Sequence, residues 1–434
     1  MHKVLVYCKE LRNFLLLWFT QSLSGLGSAM TSYALIIWSY QQEGSALSTA
    51  LLSICSYAPY VAMSIFAGAL SDRWNKKRVL LLCDSFAAAT TLAVLVMLRM
   101  GTLRLAHLYV INALNGLMNT IQQPAADVVN TLLTPPRYYQ RVSGLRSFSS
   151  SAQSLLTPVF ATALLAFAGL EAVIFFDLAT FVLAFAALLG LIRIPAAPGE
   201  GESGEKVLQS ARQGLRYLKE NPGILHLILF LAAINLSASM YAAALPALLL
   251  NRGGEMALGT VNTVCGLAML AGSLLASALP APRSRIRVIC NTLLLSMSTE
   301  NLLLAVGPGL PYWCVGAALG WIGIPLMSAN LDVVLRSRIP LEMQGRVWSA
   351  RNTLQFFTIP LGYFLGGWLV DSAFEPMLAK ADAPVLHMVF GTGKGAGAAA
   401  FFLALFVLGV LTCLLFRRDR ALWRLEEAQN APKP

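Results

Sequence analysis

Asp127-Val-Val-x5-Pro135-x5-Arg141-Val142-x3-Arg146 returns 205 residues later as Asp332-Val-Val-x5-Pro340-x5-Arg346-Val347-x3-Arg351. Seven of the 20 positions are identical without a gap, and the identities include Asp, Pro and Arg, which apolar composition alone would not keep in register. An offset near half of 434 residues divides the chain into two similar halves. Each copy lies between long apolar stretches, and duplicated halves with a site between them are the usual plan of a secondary transporter.

Working outward, the chain is 57% hydrophobic and 12% charged, with mean hydropathy +0.65. A soluble domain carries roughly 25% charged residues. Stretches close to the roughly 20 residues needed to cross a bilayer recur throughout. They fall at 13–39, 46–70, 78–99, 105–126, 145–168, 172–192, 224–250, 257–279, 288–306, 311–331, 352–371 and 396–416. The expected fold is an all-α membrane protein with twelve transmembrane helices in two pseudo-symmetric six-helix halves. The halves are 1–194 and 223–417, joined by a cytoplasmic linker at 195–222 and followed by a basic tail at 418–434. The first stretch is too long for a cleaved signal peptide.

Charge orients the chain. With both termini cytoplasmic, only Arg99, Arg104, Arg252, Lys380 and Lys394 of the 32 Lys and Arg fall in outer loops. That bias fixes topology and places the protein in the cell (cytoplasmic or inner) membrane. The net charge of +11 then reflects the bias and contact with anionic lipid, not a nucleic-acid surface. The seven cysteines and four histidines are scattered, with no CxxC and no ligand spacing. We therefore expect no metal, no cofactor and no enzymatic activity, since a membrane enzyme needs a convergent His/Asp/Ser or metal constellation. A non-transporting sensor would need a soluble output domain. A monomer is expected.

The linker opens with Pro195-Ala-Ala-Pro198-Gly-Glu-Gly-Glu-Ser-Gly-Glu and then turns amphipathic. Val207, Leu208, Ala211, Leu215 and Leu218 share one helical face, with Arg212, Arg216 and Lys219 elsewhere, as in a helix lying on the membrane surface. The tail after Phe416 is expected to lack structure beyond a turn or two.

Between the second and third stretches lies Gly68-Ala-Leu70-Ser-Asp72-Arg73-Trp-Asn75-Lys76-Lys77-Arg78-Val-Leu80. It resembles the signature loop of the major facilitator superfamily, Gly-x-Leu-Ala-Asp-Arg-x-Gly-Arg-Lys-x-x-Leu. Gly68, Leu70, Asp72, Arg73 and Lys77 match, and Asn75 replaces a glycine. Asn tolerates positive φ, so the turn survives the change. The resemblance implies a cytoplasmic latch against span 11, with Asp72 favoured by a helix amino end and stabilising the outward-facing state. The alternative is that these charges only anchor topology. The matching loop of the second half, Ala281-Pro-Arg283-Ser-Arg285-Ile-Arg287, keeps the basic residues and lacks the acid.

The repeat sits at the cytoplasmic ends of spans 4 and 10. Asp127 and Asp332 close those helices, while Arg141, Arg146, Arg346 and Arg351 lead into spans 5 and 11. Acid and base at one depth can form ion pairs that break as the halves rock. Each surface pair is worth roughly 0–1 kcal/mol, and several together bias a two-state equilibrium. Pro340-Leu-Glu-Met-Gln-Gly345-Arg346-Val347 and Pro360-Leu-Gly-Tyr-Phe-Leu-Gly-Gly-Trp-Leu-Val-Asp371 resemble the branch of macrolide-efflux proteins and enterobactin-type siderophore exporters. Drug/proton antiporters of the superfamily often carry GPxxGG in span 5. Here Ser154-Leu-Leu-Thr157-Pro158-Val-Phe-Ala161-Thr162 keeps the proline and small residues but no glycine, so antiport is implied by the branch and not by this motif.

A substrate cavity is suggested by periodicity. Asn112, Asn115, Asn119 and Gln122 form one polar stripe on span 4, which would be costly facing lipid. Gln21, Ser24, Ser28 and Ser32 stripe span 1, and Asn235, Ser239 and Tyr241 mark span 7. In the superfamily, spans 1, 4, 7 and 10 line the central path. Helix–helix hydrogen bonding is the competing use of such residues. The deep carboxylates are Asp84, Asp177 and Glu300, all candidates for proton coupling. Asp84 is expected to pair with the nearby basic cluster, and Asp177 and Glu300 to lie on peripheral spans. The expected activity is efflux of an amphipathic or lipophilic small molecule by rocker-switch alternating access with proton antiport. A siderophore exporter or lipid flippase of the same fold is the alternative. No central Arg or Lys is offered to phosphate esters or dicarboxylates.

Overall fold

The computed structural model describes residues 10–135, 138–195, 207–280, 282–339, 341–380 and 384–430. Their regular structure is helical. In chain order the helices are α1 (Arg12–Glu43), α2 (Ala46–Arg73), α3 (Lys76–Arg99), α4 (Leu105–Leu132), α5 (Tyr139–Ala186), α6 (Val207–Glu220), α7 (Pro222–Ala278) and α8 (Arg285–Val306). They continue as α9 (Leu310–Ile322), α10 (Ile324–Arg338), α11 (Leu341–Phe356), α12 (Thr358–Leu369), α13 (Glu375–Lys380), α14 (Pro384–Phe390), α15 (Ala396–Arg417) and α16 (Arg420–Asn430). Short π turns follow α5 (Ala187–Leu191) and α12 (Val370–Phe374).

Two of these helices are pairs joined at a single glycine. Gly169 (φ 75°, ψ 179°) interrupts α5 and Gly254 (φ 67°, ψ −170°) interrupts α7. Both conformations are left-handed-side backbone that a Cβ would strain, so glycine supplies the break without a longer loop. The twelve expected spans count each arm of α5 and α7 separately. Among the described residues, eight helical stretches are long and apolar enough to cross a membrane. Helices α1 and α4 are not among the eight. They carry the polar stripes.

Asn75 corrects an expectation. Its φ is −61° and ψ 118°, extended backbone, and its side chain accepts from Arg78 N at 3.1 Å. It acts as the N-cap of α3, a role that suits Asn as well as a positive φ would.

The chain forms two compact units, Met1–Trp38 with Cys55–Val207, and Ser39–Ile54 with Leu208–Pro434. In the first, Phe14 and Leu17 of α1 pack with Val79, Leu80 and Cys83 of α3, Ala125 and Val129 of α4, and Leu188 and Ile192 beyond α5. In the second, Phe230 and Ile234 of α7, Ile289 and Leu293 of α8, and Leu331 and Leu335 of α10 form the core.

The tail and linker also use that second core. Residues 420–430 form α16 and are not an unstructured tail, because the segment has both a cap and a docking face. Asp419 Oδ1 accepts from Ala421 N at 2.8 Å, and Leu422 is fully buried. In α6, Leu218 is buried in the same core, whereas Leu215 is exposed. The face expected to rest on lipid therefore meets protein at Leu218. The side chains of Val207, Leu208 and Ala211 lie outside the described residues.

Candidate functional site

A cavity of about 290 Å³ opens in the first unit among α1, α3, α4 and α5, with Ser56 of α2 on its wall. Gln21, Ser24 and Ser28 reach it from α1, and Asn112, Asn115, Asn119 and Gln122 from α4. Spacings of three and four residues place such side chains on one helical face. Asp84 of α3 and Asp177 of α5 also line it, and among its described lining residues they alone are charged. Two stripes and two acids that are distant in sequence thus meet in one place.

Both oxygens of Asp84 are held. Gln21 Nε2 donates to Oδ2 at 3.0 Å, and Gln122 Nε2 donates to Oδ1 at 2.6 Å. The partners that hold Asp84 are these two amides, where the nearby basic cluster was expected. Lys77 Nζ instead donates to the Leu189 and Ile192 carbonyls at 3.2 and 2.9 Å, satisfying a helix carboxyl end. The amides that hold Asp84 come from α1 and α4 and carry no charge of their own.

Asp177 is also corrected, from a peripheral span to the cavity wall. Ser28 Oγ donates to its Oδ1 at 2.9 Å. The approach depends on Gly27, where a Cβ would lie 2.5 Å from Thr180 Oγ1 and 2.9 Å from Asp177 Cα. Close helix contact through a small residue is the common mode in lipid. Thr90 Oγ1 lies 3.2 Å from Asn115 Oδ1 and fixes that amide.

The remaining candidates go elsewhere. Glu300 of α8 is 4% exposed in the second unit. Tyr241 Oη donates to its Oε1 at 2.5 Å and Trp321 Nε1 donates to the same oxygen at 2.9 Å. Asn235 Nδ2 donates to the Gln355 carbonyl at 3.2 Å. Asn235 and Tyr241 therefore do not line the cavity of the first unit, because their polar atoms are engaged inside the second. Trp321 was not anticipated, since an indole in a membrane helix is ordinarily read as an interfacial anchor.

The repeat gives ion pairing within a unit. Arg146 donates to Asp127 Oδ1 at 2.5 Å, with the side chains 49% and 58% exposed. Both residues belong to the first unit, so this pair need not break when halves move, as expected of pairs between halves. In the second copy, Arg351 Nε donates to Gln355 Oε1 at 2.9 Å, one turn further along α11. The side chains of Gly68, Leu70, Asp72, Arg73, Arg141 and Arg346 lie outside the described residues. The second-half loop does acquire an acid, from the tail. Glu426 accepts from Ser284 Oγ at 2.7 Å and from Ile286 N at 2.8 Å.

Known proteins share this architecture. The chain is 22% identical over 364 residues to macrolide efflux protein A of Streptococcus pyogenes, covering 82% of this chain and 89% of that one. It is 25% identical over 434 residues to the multidrug efflux pump Tap of Mycolicibacterium fortuitum, covering 97% and 98%. The crystal structure of a mutant of the nucleoside transporter NupG superposes with a TM-score of 0.67 at 12% identity, over 94% of this chain and 99% of that one. An inward-facing bacterial homolog of the human lysosomal transporter Spinster gives 0.68 at 14% identity, over 96% and 98%. These two likenesses concern fold. Residues 17–295 match the Major Facilitator Superfamily itself, and with that match over most of its length the chain belongs to this family.

Proposed function

We propose that the protein exports an amphipathic, drug-like small molecule across the cell membrane, by alternating access driven by proton entry. The observation that carries this reading is the first-unit cavity, with amide and hydroxyl groups, apolar wall and two carboxylates. Such a mixture suits a bulky, weakly polar ligand fixed by a few polar groups. The macrolide and multidrug efflux names of its relatives favour export over uptake. A polyanionic siderophore would face Asp84 and Asp177 with no cation among the described lining residues, a repulsion that low dielectric enlarges.

In this reading Asp84 and Asp177 exchange protons and substrate, because both reach the cavity. Ser24, Ser28, Asn112, Asn115 and Asn119 offer hydrogen bonds to the ligand, and Gln21 and Gln122 orient Asp84. Glu300, enclosed with Tyr241 and Trp321, holds α7, α8 and α9 together. The loop at Asp72 and Arg73 and the charges of the two repeats act at the cytoplasmic mouth. Purified protein in liposomes tests this with a panel of lipophilic compounds under imposed proton or sodium gradients. Transport that follows the proton gradient is expected. Transport that follows sodium alone, or none of the panel moving with folded protein present, would overturn it.

A further inference from the structure

Asp371 stands at the end of the Pro360–Asp371 segment, where the helix widens into the π turn Val370–Phe374. Among the described residues its carboxylate has three donors. Ser45 Oγ donates to Oδ2 at 2.6 Å, Leu47 N to Oδ2 at 2.9 Å, and Ala46 N to Oδ1 at 3.1 Å. The two backbone groups belong to the first turn of α2, where N–H groups have no partner within the helix. The dipole of α2 favours a negative charge at the same place. Gly367, one turn before Asp371, brings the backbones together, since a Cβ there would lie 2.6 Å from Leu47 Cα.

Neighbouring bonds reinforce the junction. Asn251 Nδ2 donates to Tyr40 Oη at 2.6 Å, and Gln41 bonds the Glu255 carboxylate. The consequence appears in how the chain partitions. Ser39–Ile54 are compact with Leu208–Pro434, although the parts of α1 and α2 on either side belong to the first unit. A piece of the first half of the sequence is thus held by the second.

We propose that Asp371 is a gate residue of the transport cycle, at the membrane face opposite the Asp72 loop. Bound to Ser45–Leu47 it keeps that face shut, and it releases α2 each time the cavity opens there. The proposal rests on the transport reading above and extends it to a residue outside the cavity. Asp371→Asn keeps the shape but loses the charge and turns an amide group toward the donors.

The test uses the full chain with its seven cysteines replaced. Ser45→Cys with Asp371→Cys is oxidised in liposomes, and transport is measured before and after reduction. The expected result is a disulfide that lowers transport at least tenfold, with recovery on reduction. In parallel, Leu35→Cys in the cavity is labelled by an impermeant maleimide applied from the face carrying Ser45. Asp371→Asn is expected to raise the labelling rate several-fold. Undiminished transport by the cross-linked protein, failure of the pair to cross-link, or unchanged labelling would overturn the proposal. If the uncross-linked parent moves no compound, the transport reading fails instead, and cross-linking and labelling still report on the junction.

Discussion

Asp84 concentrates the chemistry of the site at one residue. Each of its oxygens takes an amide donor, one from α1 and one from α4, so a single carboxylate ties three helices around the cavity. Asp84→Asn is expected to reduce proton-driven transport at least tenfold while leaving the protein folded in the membrane, checked by transport and by monodispersity in detergent. Near-normal proton-driven rates would remove Asp84 from coupling. Gln122→Leu leaves Oδ1 without its donor in a partly enclosed site. A buried acceptor left unsatisfied costs about 1–3 kcal/mol. A lower thermal midpoint in detergent is therefore expected, and an unchanged midpoint would contradict the orienting role. The members of this site were legible in the sequence as polar residues at helical spacing on apolar spans. Their pairing was not. Asp84 lies near a run of basic residues in sequence, and only tertiary packing shows that two amides reach it first. The place of Asp177 on the cavity wall is hidden for a related reason, since nothing local reveals that Gly27 admits α5 so close to α1.

At the scale of the element, small features decide where helices begin, reverse and dock. Gly169 and Gly254 fall in the gaps 169–171 and 251–256 between apolar stretches, and each helix breaks at that one residue. The helix α16 was not legible, because a short, charged amphipathic segment forms a helix only when something covers its apolar face. Here Leu422 supplies the buried anchor and Glu426 satisfies the amino end of α8. Losing such a cap costs about 0.5–2 kcal/mol. Glu426→Ala should lower thermal stability accordingly, and equal melting of variant and parent would show that the contact contributes nothing. The junction of α1 and α5 is less forgiving. Gly27→Val places carbon where Thr180 Oγ1 and the Asp177 backbone already stand, so loss of both stability and transport is expected. A stable, active Gly27→Val protein would contradict the close packing assigned to that junction.

For the whole molecule, composition pointed to a helical membrane protein, and the helical fold and the family agree, while the 205-residue repeat pointed to two related halves. The repeat was legible because Asp, Pro and Arg are scarce in such a chain, so their coincidence stands out. Its mechanical meaning was less legible. The Asp127–Arg146 pair closes within one unit, so the first copy braces its own half, whereas Asp371 ties residues 45–47 into the other unit. Alternating access asks each half to move as a body while contacts at its ends exchange. The most direct measurement is substrate accumulation in inverted membrane vesicles as the proton gradient is built and then collapsed. The account predicts accumulation that rises with the gradient, falls when it is collapsed, and is lost in Asp84→Asn. Accumulation that survives collapse of the gradient, or an Asp84→Asn protein that accumulates as well as the parent, would contradict it.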